Sequence, residues 1–216
     1  MRLGVLGGTF DPVHFGHLET ASELCERLSL DRLDLMPCQV HALQKKPSAS
    51  TAQRLAMLEM AVADYAGLAI DRREVEREGV SYTVDSLSAI RSELGCDAAL
   101  YFIVGADAFV ALEQWHRWRE MFEYASMVVV QRPGSPLAET VDSPVLQSLL
   151  QKRGIAIERI GPYTAGKIAI VQLTPHDLAS SSIRKCCTIE HAAGTYLLEQ
   201  VPAAVADYIE AHQLYR

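Results

Sequence analysis

Short apolar runs alternate along the chain with segments in which apolar residues recur every three or four positions. The runs predict strands at residues 3–6, 33–36, 68–75, 100–104, 127–130, 155–160 and 167–173. The periodic segments predict helices at residues 17–28, 52–65, 83–94 and 203–212. This alternation predicts an α/β fold, in which an open, mainly parallel sheet is covered by helices on both faces.

Open parallel sheets bind ligands beyond the carboxyl ends of their strands. Residues 7–17 follow the first predicted strand, and residues 105–107 follow the fourth. We therefore expect both segments to lie at the binding edge of the sheet.

The length of the chain, 216 residues, suits one substantial domain. We interpret residues 1–216 as a single domain with a helical C-terminal part from about residue 180. Residues 45–50 and 131–144 show little periodicity and are predicted to be surface loops.

Composition and charge exclude several functions. The formal net charge of −7 lacks the basic surplus of a nucleic-acid-binding protein, so local groups must attract any anionic ligand. No apolar run reaches the roughly 18–20 residues that would cross a membrane. The five cysteines form no Cys-x-x-Cys pair, which predicts reduced thiols in a cytoplasmic protein and argues against a zinc site. Nothing in the sequence indicates an oligomeric state.

The segment Gly7, Gly8, Thr9 and Phe10 is predicted to form the turn after the first strand. Glycine lacks a Cβ atom, so backbone N–H groups in such a turn can approach an anion closely. The segment matches neither the Walker motif, which needs Gly-Lys-Ser/Thr, nor the Gly-x-Gly-x-x-Gly dinucleotide motif. An ordinary tight turn remains the alternative.

Two histidines, His14 and His17, follow at the start of the first predicted helix. A spacing of three places both imidazoles on one side of the helix. The partial positive charge of a helix N-terminus disfavours a metal cation and favours an anion. Two solvated or packed histidines remain the alternative.

A second polar cluster comprises three serines, at residues 180–182, followed by Arg184. The hydroxyls could donate to an anion, and the guanidinium adds a forked cation. The same serines could instead simply cap a short helix.

Two further candidates follow the fourth strand. Asp107, after Gly105, could accept hydrogen bonds from a ribose or an adenine, or could be a helix N-cap. Trp115 could stack on a flat ring or could belong to the core.

These residues together resemble the nucleotidyltransferase superfamily with the H-x-G-H signature, which reads His-Phe-Gly-His at residues 14–17. Within it, residues 7–17 are similar to the bacterial nicotinate mononucleotide adenylyltransferase family. Further similar elements follow in the same order: Ser-Tyr-Thr-Val-Asp at 81–85, Gly-Ala-Asp at 105–107 with Trp115, Arg-Pro-Gly at 132–134, Ser-Ser-Ser-Ile-Arg at 180–184, and Tyr-Ile and Leu-Tyr at 208–209 and 214–215.

The resemblance implies an activity and a fold. ATP and nicotinate mononucleotide would yield nicotinate adenine dinucleotide and pyrophosphate, a step in the synthesis of NAD. Mg²⁺ would be bound through the phosphates and not by protein side chains. The sheet would be Rossmann-like, with the strand order 3-2-1-4-5.

The resemblance also implies roles for individual residues. His14 and Arg184 would hold the ATP phosphates, and His17 would stabilise the charge that develops at the α-phosphate. Further ATP contacts are implied for Gly7, Gly8, Thr9, Phe10, Gly105, Asp107, Arg132 and Ser181. Mononucleotide contacts are implied for Tyr82, Thr83 and Trp115.

The segment after the second strand differs from the family pattern of Pro-Pro-His followed by Lys or Arg. Residues 36–46 read Met-Pro-Cys-Gln-Val-His-Ala-Leu-Gln-Lys-Lys. Lys45 or Lys46 is the expected replacement for that phosphate-binding cation.

Two alternatives stay open. The first is an adenylyltransferase with another acceptor, such as nicotinamide mononucleotide or pantetheine phosphate, although Trp115 and residues 82–83 favour a pyridine ring. The second is a paralogue that senses nucleotides without catalysis, which the altered segment 38–46 favours.

Overall fold

The computed structural model describes residues 1–38, 47–77, 79–131, 137, 141–161, 164–188 and 193–216. Within them, parallel strands form one open sheet in the order β3-β2-β1-β4-β5-β6. The strands are β1 (Arg2–Gly8), β2 (Arg32–Pro37), β3 (Leu68–Ile70), β4 (Ala99–Gly105), β5 (Ser126–Gln131) and β6 (Ile168–Gln172). The predicted fold class and the order 3-2-1-4-5 are confirmed, and β6 extends the sheet beyond β5.

Helices connect the strands and cover the sheet. In the described part of the chain, the α-helices with assigned bounds are α1 (Phe15–Leu28), α2 (Thr51–Val62), α3 (Arg73–Glu76), α4 (Thr83–Leu94), α5 (Ala106–Val110), α6 (Met121–Tyr124), α7 (Pro144–Arg153), α8 (Ser180–Cys187), α9 (Ala193–Gln200) and α10 (Ala203–Ala211). Short 3-10 helices lie at Leu112–Gln114, Trp118–Glu120 and Ile157–Arg159.

Two apolar cores lie on opposite faces of the sheet. The first core packs α1, α2, α8, α9 and α10 against one face. The second core packs α4, α5, α6 and α7 against the other. Neighbouring residues of β4 alternate between them, since Ile103 belongs to the first core and Phe102 to the second. Burial on both faces explains why the strands are apolar almost without interruption.

The predicted strand 68–75 is too long. β3 ends at Ile70, and the chain turns at Asp71 into α3. The carboxylate of Asp71 accepts the backbone N–H of Arg73 at 3.0 Å, a local hydrogen bond that competes with continued pairing in the sheet.

The predicted strand 155–160 is wrong. Residues Ile157–Arg159 form a 3-10 helix, although the backbone N–H of Ile155 still donates to the carbonyl of Ile168 at 2.9 Å. Apolar residues at 155, 157 and 160 match a strand pattern, but Ile160 is buried in the first core without strand pairing.

The order of the strands creates a crevice at the carboxyl ends of β1 and β4. The chain runs from β1 outward to β2 and β3, then returns to β4 beside β1 and continues outward on the other side. Such a reversal is where open α/β sheets bind ligands. Of the helices in the described part of the chain, none is long and apolar enough to span a membrane.

Candidate active site

The two histidines of the H-x-G-H segment lie together at the start of α1. His14 is the N-cap residue, with an extended backbone, and His17 is the third residue of the helix. Their rings stack, with centroids 3.7 Å apart and planes inclined by 28°. The structure thus places both imidazoles side by side.

Hydrogen bonding defines the tautomer of His17. Its Nδ1 accepts the backbone N–H of His14 at 3.3 Å, so the proton of the neutral ring lies on Nε2. The ring of Phe10 packs edge-on against it, with centroids 5.1 Å apart. His17 therefore presents an oriented N–H donor.

Both imidazoles are neutral near pH 7. Burial, with a smaller contribution from His176, lowers the pKa of His14 from 6.5 to about 4. Burial, and then the nearby His14, lowers the pKa of His17 well below its usual value. Nδ1 of His14 is buried and has no hydrogen-bond partner among the described residues, which leaves this ring unused bonding capacity.

Gly16 allows His14 to occupy its position. A Cβ atom on Gly16 would lie 3.1 Å from Cε1 and Nδ1 of the His14 ring and 3.3 Å from Cβ of Leu178. These distances are shorter than ordinary van der Waals contacts. The glycine of the motif is thus required by the packing of the first histidine on the helix backbone.

Gly7 and Gly8 are the last two residues of β1 and pair with β2, so they are not part of the turn that the sequence predicted, and their requirement for glycine differs from that of Gly16. A Cβ atom on Gly8 would lie 2.9 Å from the ring of Phe10, whereas one on Gly7 would make an ordinary contact of 3.5 Å with Phe102. Phe10 is buried and has a φ of 49°, in the left-handed region. Gly8 therefore makes room for Phe10, which folds back over the turn.

Asp11 connects this turn to three other parts of the chain. Its buried carboxylate accepts the backbone N–H groups of Ser48 at 2.7 Å and Ala49 at 3.1 Å. It also accepts the hydroxyl of Tyr215 at 2.9 Å. The Arg184 guanidinium lies 3.8 Å from the carboxylate and donates to the backbone carbonyl of Asp11 at 2.6 Å.

The serine cluster lies beside the same turn. Ser180 donates its hydroxyl to the carbonyl of Pro12 at 2.9 Å, which anchors α8 to the histidine segment. Capping by a serine, the alternative left open by the sequence, is wrong here, because the N-cap is Ala179 and no side chain caps the helix. Ser181 lies exposed in the first turn of α8.

A cleft of about 620 Å³ opens between these elements. Among the predicted residues, His14, His17, Gly105 and Ser180 line it. Residues that the sequence did not single out, including Gln131, His176 and Asp177, line it as well. The cleft thus joins the first helix, the end of β4 and the segment before α8.

The predicted mononucleotide residues lie toward the second core. Tyr82 and Thr83 are the N-cap and first residue of α4, and the Tyr82 ring lies 4.2 Å from that of His116. Trp115 is partly buried and packs edge-on against Phe102, with centroids 6.1 Å apart. Since Phe102 also lies next to Gly7, this aromatic cluster meets the carboxyl end of β1.

The remaining predicted residues have different outcomes. Asp107 is exposed and is the second residue of α5, so the alternative that it is the N-cap is wrong; the N-cap is Gly105. Arg132, Lys45 and Lys46 lie outside the described residues.

Within the described residues, no group of three or more His, Cys, Asp or Glu side chains could hold a metal ion.

Sequence reasoning missed several residues of this site. Asp11 and Gly16 lie inside the motif, and Tyr215 lies in the C-terminal element quoted for the resemblance, yet none was given a role. Their roles depend on contacts across up to 204 positions of sequence, which no local pattern reveals.

The chain is similar to known proteins over nearly its whole length. The model of the family described as "Cytidylyltransferase-like" matches residues 5–186. A protein of Pseudomonas aeruginosa (strain UCBPP-PA14) named "Probable nicotinate-nucleotide adenylyltransferase" is 41% identical over 215 residues, covering 100% of this chain and 97% of that protein. A protein of the same name from Cellvibrio japonicus is 43% identical over 216 residues, covering 99% and 98%.

Solved structures with low sequence identity share the fold. The Plasmodium falciparum nicotinic acid mononucleotide adenylyltransferase complexed with NaAD has a TM-score of 0.72 at 15% identity, covering 99% of this chain and 97% of that chain. The same Plasmodium enzyme complexed with APC has a TM-score of 0.70 at 14% identity, covering 99% and 96%.

The low pKa of His14 predicts that acid destabilises the protein. The unfolded chain binds a proton at His14 near pH 6.5, whereas the folded chain binds it only near pH 4. The free energy of unfolding should therefore fall by up to about 3 kcal/mol between these pH values through this residue. Thermal melts of wild type and His14→Asn at pH 4 to 7 measure this loss of stability. The variant should lose less stability over this interval, and parallel pH profiles would contradict the assignment.

The packing of Gly16 predicts that Gly16→Ala acts through His14. We expect Gly16→Ala to lower kcat/KM by about tenfold or more, because small displacements of a positioned group are costly, while the melting temperature changes little. A double-mutant cycle with His14→Ala tests whether Gly16→Ala acts through His14. In the His14→Ala background Gly16→Ala should cause almost no further loss, and an equal loss in both backgrounds would show that it acts elsewhere.

Proposed function

This chain belongs to the nicotinate-nucleotide adenylyltransferase family, and we propose that it transfers the adenylyl group of ATP to nicotinate mononucleotide. The products are nicotinate adenine dinucleotide and pyrophosphate, a step in the synthesis of NAD. The observation that carries the proposal is the stacked pair His14 and His17 at the edge of the cleft, with Arg184 anchored to Asp11 in the same segment of the chain.

The reaction needs no protein nucleophile. A phosphate oxygen of the mononucleotide attacks the α-phosphorus of ATP, a new P–O bond forms, and the bond to the bridging oxygen between the α- and β-phosphates breaks. Pyrophosphate leaves with the electron pair of that bond. Catalysis then depends on positioning and on stabilising the charge that develops.

The histidines suit this task as neutral donors. The Nε2–H of His17, whose orientation is set by the hydrogen bond at Nδ1, would donate to an oxygen of the α-phosphate. His14 would bind the neighbouring phosphates together with Arg184. Because both imidazoles are desolvated and neutral, polyphosphate is expected to raise their pKa values when it binds.

Arg184 is held in place by Asp11 but retains donors for a ligand. One terminal nitrogen, Nη1, donates to the Asp11 carbonyl, and about a third of the side chain is exposed (31%). A guanidinium carries five N–H donors, so the other nitrogens can bind phosphate oxygens. Gly7, Gly8, Thr9, Phe10 and Ser181 supply backbone or hydroxyl donors in this proposal, and Gly105, Asp107 and Arg132 line the adenosine.

Mg²⁺ enters the proposal as the complex with ATP. Within the described residues no carboxylate cluster offers a cage of protein ligands. Mg²⁺ commonly binds through substrate phosphates with few protein ligands. When bound, it supplies charge neutralisation on the polyphosphate.

The acceptor is assigned to the aromatic cluster. Tyr82, Thr83 and Trp115 would hold the nicotinate ring and its carboxylate, with Trp115 providing a flat, partly exposed surface next to Phe102. A pyridine ring can stack on such a surface.

We also propose that the reaction takes place in the cytoplasm. All five cysteines carry free thiols, as is usual for proteins kept in a reducing compartment.

A coupled pyrophosphate assay tests the proposed reaction. We expect pyrophosphate release only when ATP, Mg²⁺ and a mononucleotide are present together, with faster turnover for nicotinate than for nicotinamide mononucleotide. His17→Ala should lower kcat by about 10²- to 10³-fold, the usual cost of removing one charge-stabilising donor. Binding of ATP without turnover on either mononucleotide would favour the nucleotide-sensing alternative.

The assignment of Trp115 gives a separate prediction. Trp115→Ala should mainly raise KM for the mononucleotide, because the stacking surface is lost, and should leave KM for ATP nearly unchanged. Phe122→Ala is the matched control, since Phe122 is also an aromatic residue of the second core but is buried, whereas Trp115 is partly exposed. It should lower stability without this selective effect. A loss confined to ATP binding would contradict the assignment of Trp115.

A further inference from the structure

Arg54 is a fully buried cation beneath the turn that follows β1. It lies in the first part of α2, and its side chain has no exposed surface. Its Nη1 donates to the carbonyl of Thr9 at 2.6 Å, and its Nη2 donates to the carbonyl of Cys38 at 2.9 Å. Nη2 also donates to the Thr51 hydroxyl at 3.2 Å. A single guanidinium thus connects α2 to the residues that directly follow β1 and β2.

These contacts determine how one peptide group of the turn is oriented. The peptide bond between Thr9 and Phe10 is trans, since the cis peptide bond of this segment is that between Asp11 and Pro12. In a trans peptide the C=O and N–H bonds point in opposite directions. Because the Thr9 carbonyl points at Arg54, the N–H of Phe10 points away from it.

The turn needs such support from outside. Phe10 has a left-handed backbone, with a φ of 49°, which a residue other than glycine adopts at an energetic cost. The fork of an arginine fits two carbonyls at once, whereas the single ammonium of a lysine does not offer this geometry. Arg54 is therefore suited to holding the turn in one conformation.

We propose that Arg54 is a positioning residue that preorganises the turn Thr9–Phe10 for binding the phosphates of ATP. It does not touch the substrate, and it acts through the backbone of the turn. This inference rests on the proposed function in that the turn is taken as part of the ATP site. The proposal also explains why Arg54 lies on the buried face of α2, where a charge is otherwise unfavourable.

The proposal is tested by comparing Arg54→Lys with Leu58→Ala. Leu58 is also fully buried on α2 and belongs to the first core, but its apolar side chain makes no hydrogen bond to the turn. For each folded variant, calorimetry gives the Kd of Mg-ATP, melting gives Tm, and steady-state assays give KM for each substrate. All three measurements are made on the full chain.

We expect Arg54→Lys to weaken ATP binding by about 10- to 100-fold, in the range that a misplaced binding group costs. KM for the mononucleotide should change little. Leu58→Ala should lower Tm at least as much and leave the Kd of ATP near the wild-type value. Unchanged ATP binding in Arg54→Lys, or equal losses of affinity in both variants, would overturn the proposal.

A milder variant covers the case in which Arg54→Lys does not fold. Thr51→Ala removes one hydrogen bond to the guanidinium at a partly buried site and should weaken ATP binding in the same direction by a smaller factor. Unchanged ATP affinity in Thr51→Ala would then count against the proposal. The ATP affinities are measured without the mononucleotide, so a wild type that binds ATP but releases no pyrophosphate would refute the proposed reaction and not the role of Arg54.

Discussion

The arrangement of the site depends on the buried carboxylate of Asp11. Burying a carboxylate is costly unless hydrogen bonds and opposite charge compensate for the lost water. Here the backbone of residues 48–49, the Tyr215 hydroxyl and the Arg184 guanidinium provide that compensation. Satisfying this one group therefore brings together the turn after β1, the start of α2, α8 and the C-terminal end of the chain. The cost of leaving Asp11 unpaired makes these four segments mutually dependent.

The positive charge and the neutral hydrogen-bond donors of the cleft come from different residues. The chain carries a net charge of −7, so an anionic substrate is attracted only by local groups. Arg184 supplies a permanent positive charge, whereas His14 and His17 are neutral because burial lowers their pKa values. Neutral imidazoles avoid mutual repulsion at a ring separation of 3.7 Å and still provide N–H donors. This pairing of a permanent cation with neutral donors suits a transfer in which charge builds up on phosphate oxygens.

The site also shows how packing and function share the same residues. Gly16 makes room for His14, and Gly8 makes room for Phe10, whose ring in turn packs against His17. Substituting either glycine would move a histidine of the cleft or the aromatic ring that supports it. The glycines and the histidines of this segment therefore share one explanation, since each defines the space available to the other.

Local patterns were sufficient for much of the fold and for part of the site. Apolar runs and helical periodicity predicted the strands that form the sheet, because strands buried on both faces must be apolar. They failed at residues 155–160, where an apolar pattern fits a 3-10 helix equally well, and at Asp71, where a side-chain hydrogen bond ends the strand. The organisation of residues 1–216 as one domain stays a prediction.

The sequence by itself determined the chemistry available: two histidines at a helix start, two glycines before them, a serine and arginine cluster and Trp115. Only the tertiary structure decided which groups meet, which are charged and which are held in place. Asp11 and Tyr215 are joined across 204 positions, and Arg54 reaches the Thr9 carbonyl across 45. Residue spacing encodes neighbours within a helix or strand, but contacts between distant segments and the pKa shifts caused by burial arise only when the whole chain packs.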